Sequence, residues 1–233
     1  MPPSENNLKK TFAALALAAL IPLAGAHAAT ISFSNDKALT KTNWTDTLSF
    51  GKFDTSLGTL TSIRFDLSGL VEGNGRAESE DSEATRVTLT LASLLGLKRP
   101  DGSTLVVTNP VFSQVFSFAP SDDVLDFAGQ SGGSTGTVRA GASDFFISTS
   151  ASDFALFSGV GGGMINLGVN AIGTSNATGS GNLVSGFRTA AAANVKVSYD
   201  YTPFAEVPEP AGMTLILAGL GLLGLSRRRI AKR

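Results

Sequence analysis

The sequence predicts an all-β protein, an antiparallel β-sandwich of jelly-roll-like form between an N-terminal signal peptide and a short C-terminal transmembrane helix. Short segments alternate apolar and polar residues with a period of two, which is typical of strands that bury one face. Gly, Ser and Thr together supply 74 of the 233 residues. Charged residues supply only 16%, below the ordinary ~25% of soluble domains. No long amphipathic helical segment interrupts the body, so a sandwich of many short strands is expected.

The clearest strands are three segments in which apolar residues recur at every second position: 63–67, 87–91 and 195–201. Shorter β-rich segments add further candidate strands: 44–50, 105–108, 111–118, 124–127, 145–149, 154–157 and 165–169. Turn chemistry is expected at 98–102, which reads Lys-Arg-Pro-Asp-Gly, and at 73–75, which reads Gly-Asn-Gly. The alanine run 190–193 fits either one helical turn or the approach to a strand.

The N-terminus predicts a signal peptide over residues 1–28. Lys9 and Lys10 precede an apolar run, 12–23, which ends in small residues. Ala26 and Ala28 form an A-x-A site, so signal peptidase is expected to cut before Ala29. A transmembrane anchor is the alternative, but the apolar run is short for one.

The C-terminus, residues 206–233, carries a second signal. Pro208, Glu209 and Pro210 precede the uncharged, Leu- and Gly-rich stretch 211–225. The basic cluster that follows consists of Arg227, Arg228 and Arg229. An apolar span followed by arginines has the order of a stop-transfer segment, and the positive-inside rule places the arginines in the cytoplasm. The span is slightly short for a bilayer, which snorkelling arginines or local thinning can accommodate.

This three-part order resembles the PEP-CTERM sorting domain. The resemblance implies that an exosortase, a membrane-embedded cysteine transpeptidase, recognises the motif at 208–210. It also implies inner-membrane anchoring in transit, followed by delivery to the cell surface or the extracellular matrix. The tail would be removed or exchanged on the way. A plain single-pass anchor with an incidental Pro-Glu-Pro linker is the alternative.

Composition excludes several chemistries from the body, residues 29–205. The chain has no Cys, and its single histidine, His27, lies in the signal peptide. Disulfides, thiol nucleophiles and histidine-based catalysis are therefore excluded from the mature protein, and no enzyme is expected. Residues 29–210 contain 11 basic and 18 acidic residues, a net charge of −7. Nucleic acid is a poor partner for such a body, because phosphate backbones are bound by Lys and Arg clusters.

The body also resembles the choice-of-anchor E domains of exported proteins. Residues 53–61, Phe-Asp-Thr-Ser-Leu-Gly-Thr-Leu-Thr, run into the strand 63–67, and the strand 195–201 closes the domain just before the anchor. The resemblance implies an exported domain with an interchangeable C-terminal sorting signal. It transfers no catalytic residues.

One acidic run is a candidate calcium site, because calcium prefers carboxylate oxygens. It consists of Glu78, Glu80, Asp81 and Glu83. A solvated loop between two strands is the preferred interpretation of this run, and no other cofactor is expected. The two overlapping G-x-S-x-G matches within 129–136 have no histidine base and are interpreted as loop. The G-x-G-x-x-G match at 219–224 lies in the apolar tail, which excludes a dinucleotide site there.

Three functions follow from these features. The first is a non-catalytic component of the cell surface or of an exopolysaccharide matrix. The second is a carbohydrate-binding or adhesive module, in which Trp44, Tyr199 and Tyr201 form a stacking platform for sugars. The third is a carboxylate-based glycoside hydrolase, for which no pair of carboxylates stands out.

Overall fold

The computed structural model describes residues 27–204, and most of these residues lie in antiparallel strands, as the sequence predicts. The strands are β1 (Ala29–Lys41), β2 (Trp44–Gly51), β3 (Phe53–Asp54), β4 (Gly58–Ser79), β5 (Thr85–Lys98), β6 (Thr104–Thr108), β7 (Val111–Phe118), β8 (Gly132–Ser134), β9 (Val138–Ser148), β10 (Ser158–Gly159), β11 (Met164–Gly173), β12 (Asn176–Thr178) and β13 (Leu183–Pro203). The helix of the described residues is α1 (Ala151–Phe157).

Three long strands organise the sheets. In the five-stranded sheet, β13 lies between β1 and β4, and the far edge of β4 pairs first with β9 and then with β8. In the six-stranded sheet, β5 pairs with β6 and β7 along one edge and with β11 and β12 along the other, and β2 joins β11. A short parallel pair joins β3 and β10.

The core lies where the alternating apolar residues of the two sheets meet. Phe65 and Val197 of the five-stranded sheet are fully buried, as are Leu95 and Leu167 of the six-stranded sheet. Burying each such side chain contributes roughly 1.5–3 kcal/mol. Tyr199 is also fully buried, and its hydroxyl donates to the Gly51 carbonyl at 2.9 Å. Burial raises the pKa of this phenol.

The structure corrects three local predictions. The predicted turn at 73–75 lies inside β4, because its glycines allow close contact with neighbouring β13. The predicted strand 154–157 is part of α1, which begins at an N-cap where Asp153 N donates to Ser150 Oγ at 3.2 Å. The predicted strand 124–127 is a loop. The alanines at 190–193 belong to β13.

No helix between residues 27 and 204 is long and apolar enough to cross a bilayer. Residues 1–26 of the expected signal peptide, 1–28, and the expected tail helix, 211–225, lie outside the described residues. The jelly-roll strand order stays a prediction, since the observed architecture is consistent with an all-β sandwich in general.

Candidate functional site

A polar cleft of about 790 Å³ opens where β1 and β11 end beside the middle of β4 and β13. We call it the end cleft. Its lining residues are mostly hydroxyl, amide and charged side chains: Lys41, Thr42, Asn43, Glu72, Gly73, Asn74, Thr137, Gly173, Ser175, Phe187, Arg188, Thr189 and Ala190. Its volume is in the range of small-molecule sites.

Close contact between β4 and β13 shapes this cleft. A Cβ atom on Gly73 would lie 2.0 Å from the Arg188 carbonyl oxygen, so only glycine fits at this position. The segment after β1 is tied to β13 by two contacts. Thr42 N donates to the Thr189 carbonyl at 3.0 Å, and the two threonine hydroxyls lie 2.8 Å apart. These contacts hold the backbone on this side of the cleft in place.

Asn43 closes one side of the end cleft. Its φ of 70° is in the left-handed region, which asparagine tolerates better than most residues. Its side-chain oxygen accepts a hydrogen bond from Gly173 N at 3.1 Å, and its own N–H donates to the Ala171 carbonyl at 2.9 Å. The turn between β1 and β2 is therefore held against the end of β11.

The end cleft contains more unpaired positive charge than negative charge. Glu72 forms an ion pair with Arg139 of β9. Lys41 and Arg188 are both exposed, and neither takes part in the four ion pairs found within residues 27–204. The cleft therefore presents two uncompensated cations on a body whose net charge is negative.

This chemistry suits binding better than acid–base catalysis. Glu72 is the only carboxylate among the cleft's lining residues, and Arg139 already neutralises it. A glycosidase requires two carboxyl groups about 5–10 Å apart. Hydroxyls, amides, two cations and the half-buried ring of Phe187 instead provide hydrogen-bonding and stacking groups for a polar ligand.

A second polar cluster lies beside α1. Asp153 is 4% exposed, and Arg99 reaches both of its carboxylate oxygens, at 2.7 and 2.9 Å. Ser148 Oγ donates to the same carboxylate at 2.5 Å. The Arg99 guanidinium, followed by the Ser148 hydrogen bond, holds the pKa of Asp153 below its ordinary value although burial opposes this. Its acceptor oxygens are occupied, so this cluster fastens α1 to the turn at 98–102.

The structure separates the four candidate calcium ligands. Glu78 is buried at the end of β4, whereas Glu80 and Glu83 are exposed in the following loop. Asp81 is partly buried and packs against Gly181. Within residues 27–204, no three acidic or histidine side chains form a group that could hold a metal ion.

The expected sugar platform does not form. Tyr199 is fully buried, and Trp44 is partly buried with its indole N–H directed to the Ala191 carbonyl at 3.3 Å. Tyr201 packs against Phe53 with a ring-centroid distance of 5.1 Å. These aromatic residues are core and not a stacking surface, because alternation in β2 and β13 turns them inward.

Most delivery residues lie outside the described part. Ala26, the 208–210 motif and the arginines at 227–229 are not described. Ala28 is exposed, and Ala29, the expected first residue of the mature protein, begins β1.

The residues of the end cleft could not be identified from the sequence. They come from five separated segments, and each segment alone resembles an ordinary polar loop or strand. The available signals were weak: the Gly-Asn-Gly at 73–75, and the polar stretch 41–43 between two strands.

The described residues thus define an all-β sandwich domain with a polar cleft. Residues 206–230 match the family model of the PEP-CTERM protein-sorting motif. This motif supports a C-terminally sorted, exported protein that is anchored in the membrane in transit, and it implies processing by an exosortase.

No curated protein matches the sequence. Among solved structures, the chain is similar to those of infectious bursal disease virus. Its identity to the Gx strain structure is 12%, with coverage of 84% of this chain and 49% of the viral chain and a TM-score of 0.15. The VP2 subviral particle gives 12% identity, 85% and 49% coverage and a TM-score of 0.16. The chain spans about half the length of these viral chains, and likeness at such TM-scores says nothing about function.

Proposed function

We propose that this protein is an exported, non-catalytic component of the cell surface or of an exopolysaccharide matrix, delivered through its C-terminal sorting signal. The match of residues 206–230 to the PEP-CTERM protein-sorting motif carries this proposal. An exosortase acts on the motif, and the sandwich is the delivered cargo. Its resemblance to choice-of-anchor E domains supports the same role.

The described body supports a non-catalytic role. Residues 29–204 contain neither Cys nor His. The end cleft offers one carboxylate, already ion-paired, and the carboxylate of Asp153 is fully engaged. Neither arrangement provides a general acid and a general base side by side.

The sorting signal is tested by replacing Pro208, Glu209 and Pro210 with alanine in the full chain. We expect the variant to stay in the inner-membrane fraction at its unprocessed mass, because exosortase recognition is lost. Cell fractionation and mass spectrometry of the native host strain measure both effects.

Pro203→Ala, a proline change outside the motif, is the control and is expected to be sorted like the native chain. If the triple variant reaches the same fraction as the native chain with the same processed mass, sorting does not depend on this motif.

A second function, glycan binding, is favoured by the end cleft. Its two uncompensated cations, Lys41 and Arg188, lie among hydroxyl and amide groups that can bind sugar hydroxyls. The ligand that this chemistry fits is an acidic polysaccharide, whose carboxylates would pair with the cations. Such binding would retain the delivered sandwich in a matrix.

This function predicts that Arg188→Ala weakens binding to acidic polysaccharides by about tenfold, the loss expected for one charge-assisted contact. Binding of the full chain to an array of acidic and neutral glycans measures the effect. Arg86→Ala removes an exposed cation from β5, outside the cleft's lining residues, and is expected to bind as the native chain does. Equal binding by both variants would show that the end cleft is not the glycan site.

A further inference from the structure

A further pocket, of about 430 Å³, lies on the outer face of the five-stranded sheet, and we call it the outer-face pocket. Asn74 and Arg76 of β4 alternate with the buried Ala77, so their side chains point away from the core. The β4–β13 register places Arg188 opposite Asn74. The remaining lining comes from β8, β13 and the loop between β7 and β8. The sheet thus forms one side of the pocket, and this loop forms another.

The outer-face pocket adjoins the end cleft. Asn74, Phe187 and Arg188 line both of them. Arg76 lies opposite Gly186, two residues along β13 from Arg188, and such diagonal neighbours on paired strands are about 7–8 Å apart. A single extended ligand can therefore contact Arg188 and Arg76 together.

Positive charge predominates in the outer-face pocket. Arg76 and Arg188 are both exposed, and neither belongs to the four ion pairs found within residues 27–204. Asp126 supplies one carboxylate, and its Oδ1 already accepts a hydrogen bond from Ala128 N at 2.8 Å. The pocket offers two guanidinium groups against this one carboxylate, on a body whose net charge is negative. This balance of charge favours an anionic ligand.

An aromatic ring holds Arg76 in place. The central carbon of its guanidinium lies 4.2 Å from the centroid of the Phe127 ring, a distance typical of a cation–π contact. Phe127 has a φ of 60°, in the left-handed region that bulky residues rarely adopt, and such strained residues cluster at ligand sites. Stacking restricts the planar guanidinium, whose N–H groups can form two parallel hydrogen bonds with a carboxylate. The pocket therefore suits a carboxylate better than a neutral group.

We propose that the outer-face pocket is a second acid-binding subsite, so that one polysaccharide chain pairs the carboxylates of two of its sugars with Arg76 and Arg188. This inference rests on the acidic-glycan binding proposed for the end cleft. Asn74 and Ser134 provide amide and hydroxyl groups for the sugar hydroxyls near the two carboxylates. The ligand class is then a polyuronic acid, which carries a carboxylate on every sugar, and not a glycan with a single terminal acid.

Galacturonic acid oligomers of two lengths test the proposal with the purified full chain. Calorimetry is expected to show that the octasaccharide binds the native chain about tenfold more tightly than the disaccharide, the gain for one added charge-assisted contact. Arg76→Gln removes the charge of an exposed side chain. It is expected to lower the octasaccharide affinity about tenfold. The disaccharide affinity is expected to stay unchanged, since the disaccharide binds through Lys41 and Arg188.

Arg86→Gln is the matched control, because it removes an exposed guanidinium from β5, outside the lining of the end cleft and of the outer-face pocket. It is expected to bind both oligomers as the native chain does. The proposal is overturned if Arg76→Gln binds the octasaccharide as tightly as the native chain, a result that leaves binding at the end cleft intact. It is also overturned if a neutral galactose octasaccharide binds as tightly as the acidic one. If neither acidic oligomer binds the native chain, the proposed glycan function fails together with this inference.

Discussion

Replacing Asp153 with asparagine is expected to lower the free energy of unfolding by about 3 kcal/mol, as found when one member of a buried ion pair is removed. The carboxylate is 4% exposed and is bonded by Arg99 and Ser148. Asparagine is similar in size, but it leaves the Arg99 guanidinium without a counter-charge. Urea denaturation at neutral pH measures the loss.

The same pair predicts a pH dependence. The Asp153 pKa in the folded protein lies below its ordinary value of 3.8, chiefly because of the Arg99 hydrogen bond. A depressed carboxyl pKa contributes stability that is present above the ordinary value and is lost as pH falls through the folded value. The difference between the native chain and Asp153→Asn should therefore be largest near neutral pH and shrink below pH 3.8.

Asp101→Asn is the control for this experiment. Asp101 also has a lowered pKa, through hydrogen bonds from Ser103, but it is exposed. Its replacement is expected to lower the free energy of unfolding much less than Asp153→Asn does. Equal losses in the two variants would contradict the role assigned to burial.

Replacing Gly73 with alanine is expected to destabilise the sandwich by about 3 kcal/mol, at the upper end of typical overpacking costs. The new Cβ would lie 2.0 Å from the Arg188 carbonyl oxygen, and this contact is backbone and not a flexible side chain. The long β4–β13 pairing would have to shift. Thermal unfolding measures the loss.

Gly141→Ala is the matched control on the same sheet. Its Cβ would meet its nearest neighbour at 3.7 Å, an ordinary contact, and glycine in a strand interior is less stable than alanine. A neutral or slightly stabilising effect is expected there. If Gly73→Ala were equally harmless, the close approach of β4 and β13 would not require glycine.

The central strands could be predicted because local alternation determines them. Residues 63–67, 87–91 and 195–201 lie in β4, β5 and β13 as expected. The prediction of a turn at 73–75 is wrong, because Gly-Asn-Gly favours a turn only where no other backbone comes close, and β13 lies against it here. The prediction of a strand at 154–157 is wrong, because a run of four apolar residues fits a strand or a helix equally well. The Ser150 side chain caps the N-terminus of this segment, which favours the helix.

The delivery signals are linear, and the sequence alone was enough to find the C-terminal one. The order of Pro-Glu-Pro, apolar span and arginines within 206–233 predicts the sorting motif that the family model matches at 206–230. Such a signal is read by other proteins as a short segment, so it does not depend on the folding of the body.

The end cleft and the environment of Glu78 were decided by tertiary structure. Lys41, Glu72 and Arg188 are far apart in the chain, and only sheet pairing brings them to one cleft. The sequence around Glu78 predicts a solvated acidic run, yet Glu78 is 1% exposed and neither of its carboxylate oxygens has a hydrogen-bond partner within residues 27–204. Sequence determines alternation and linear signals because both are local. Burial and convergence depend on which distant segments pack together, and sequence order does not record that.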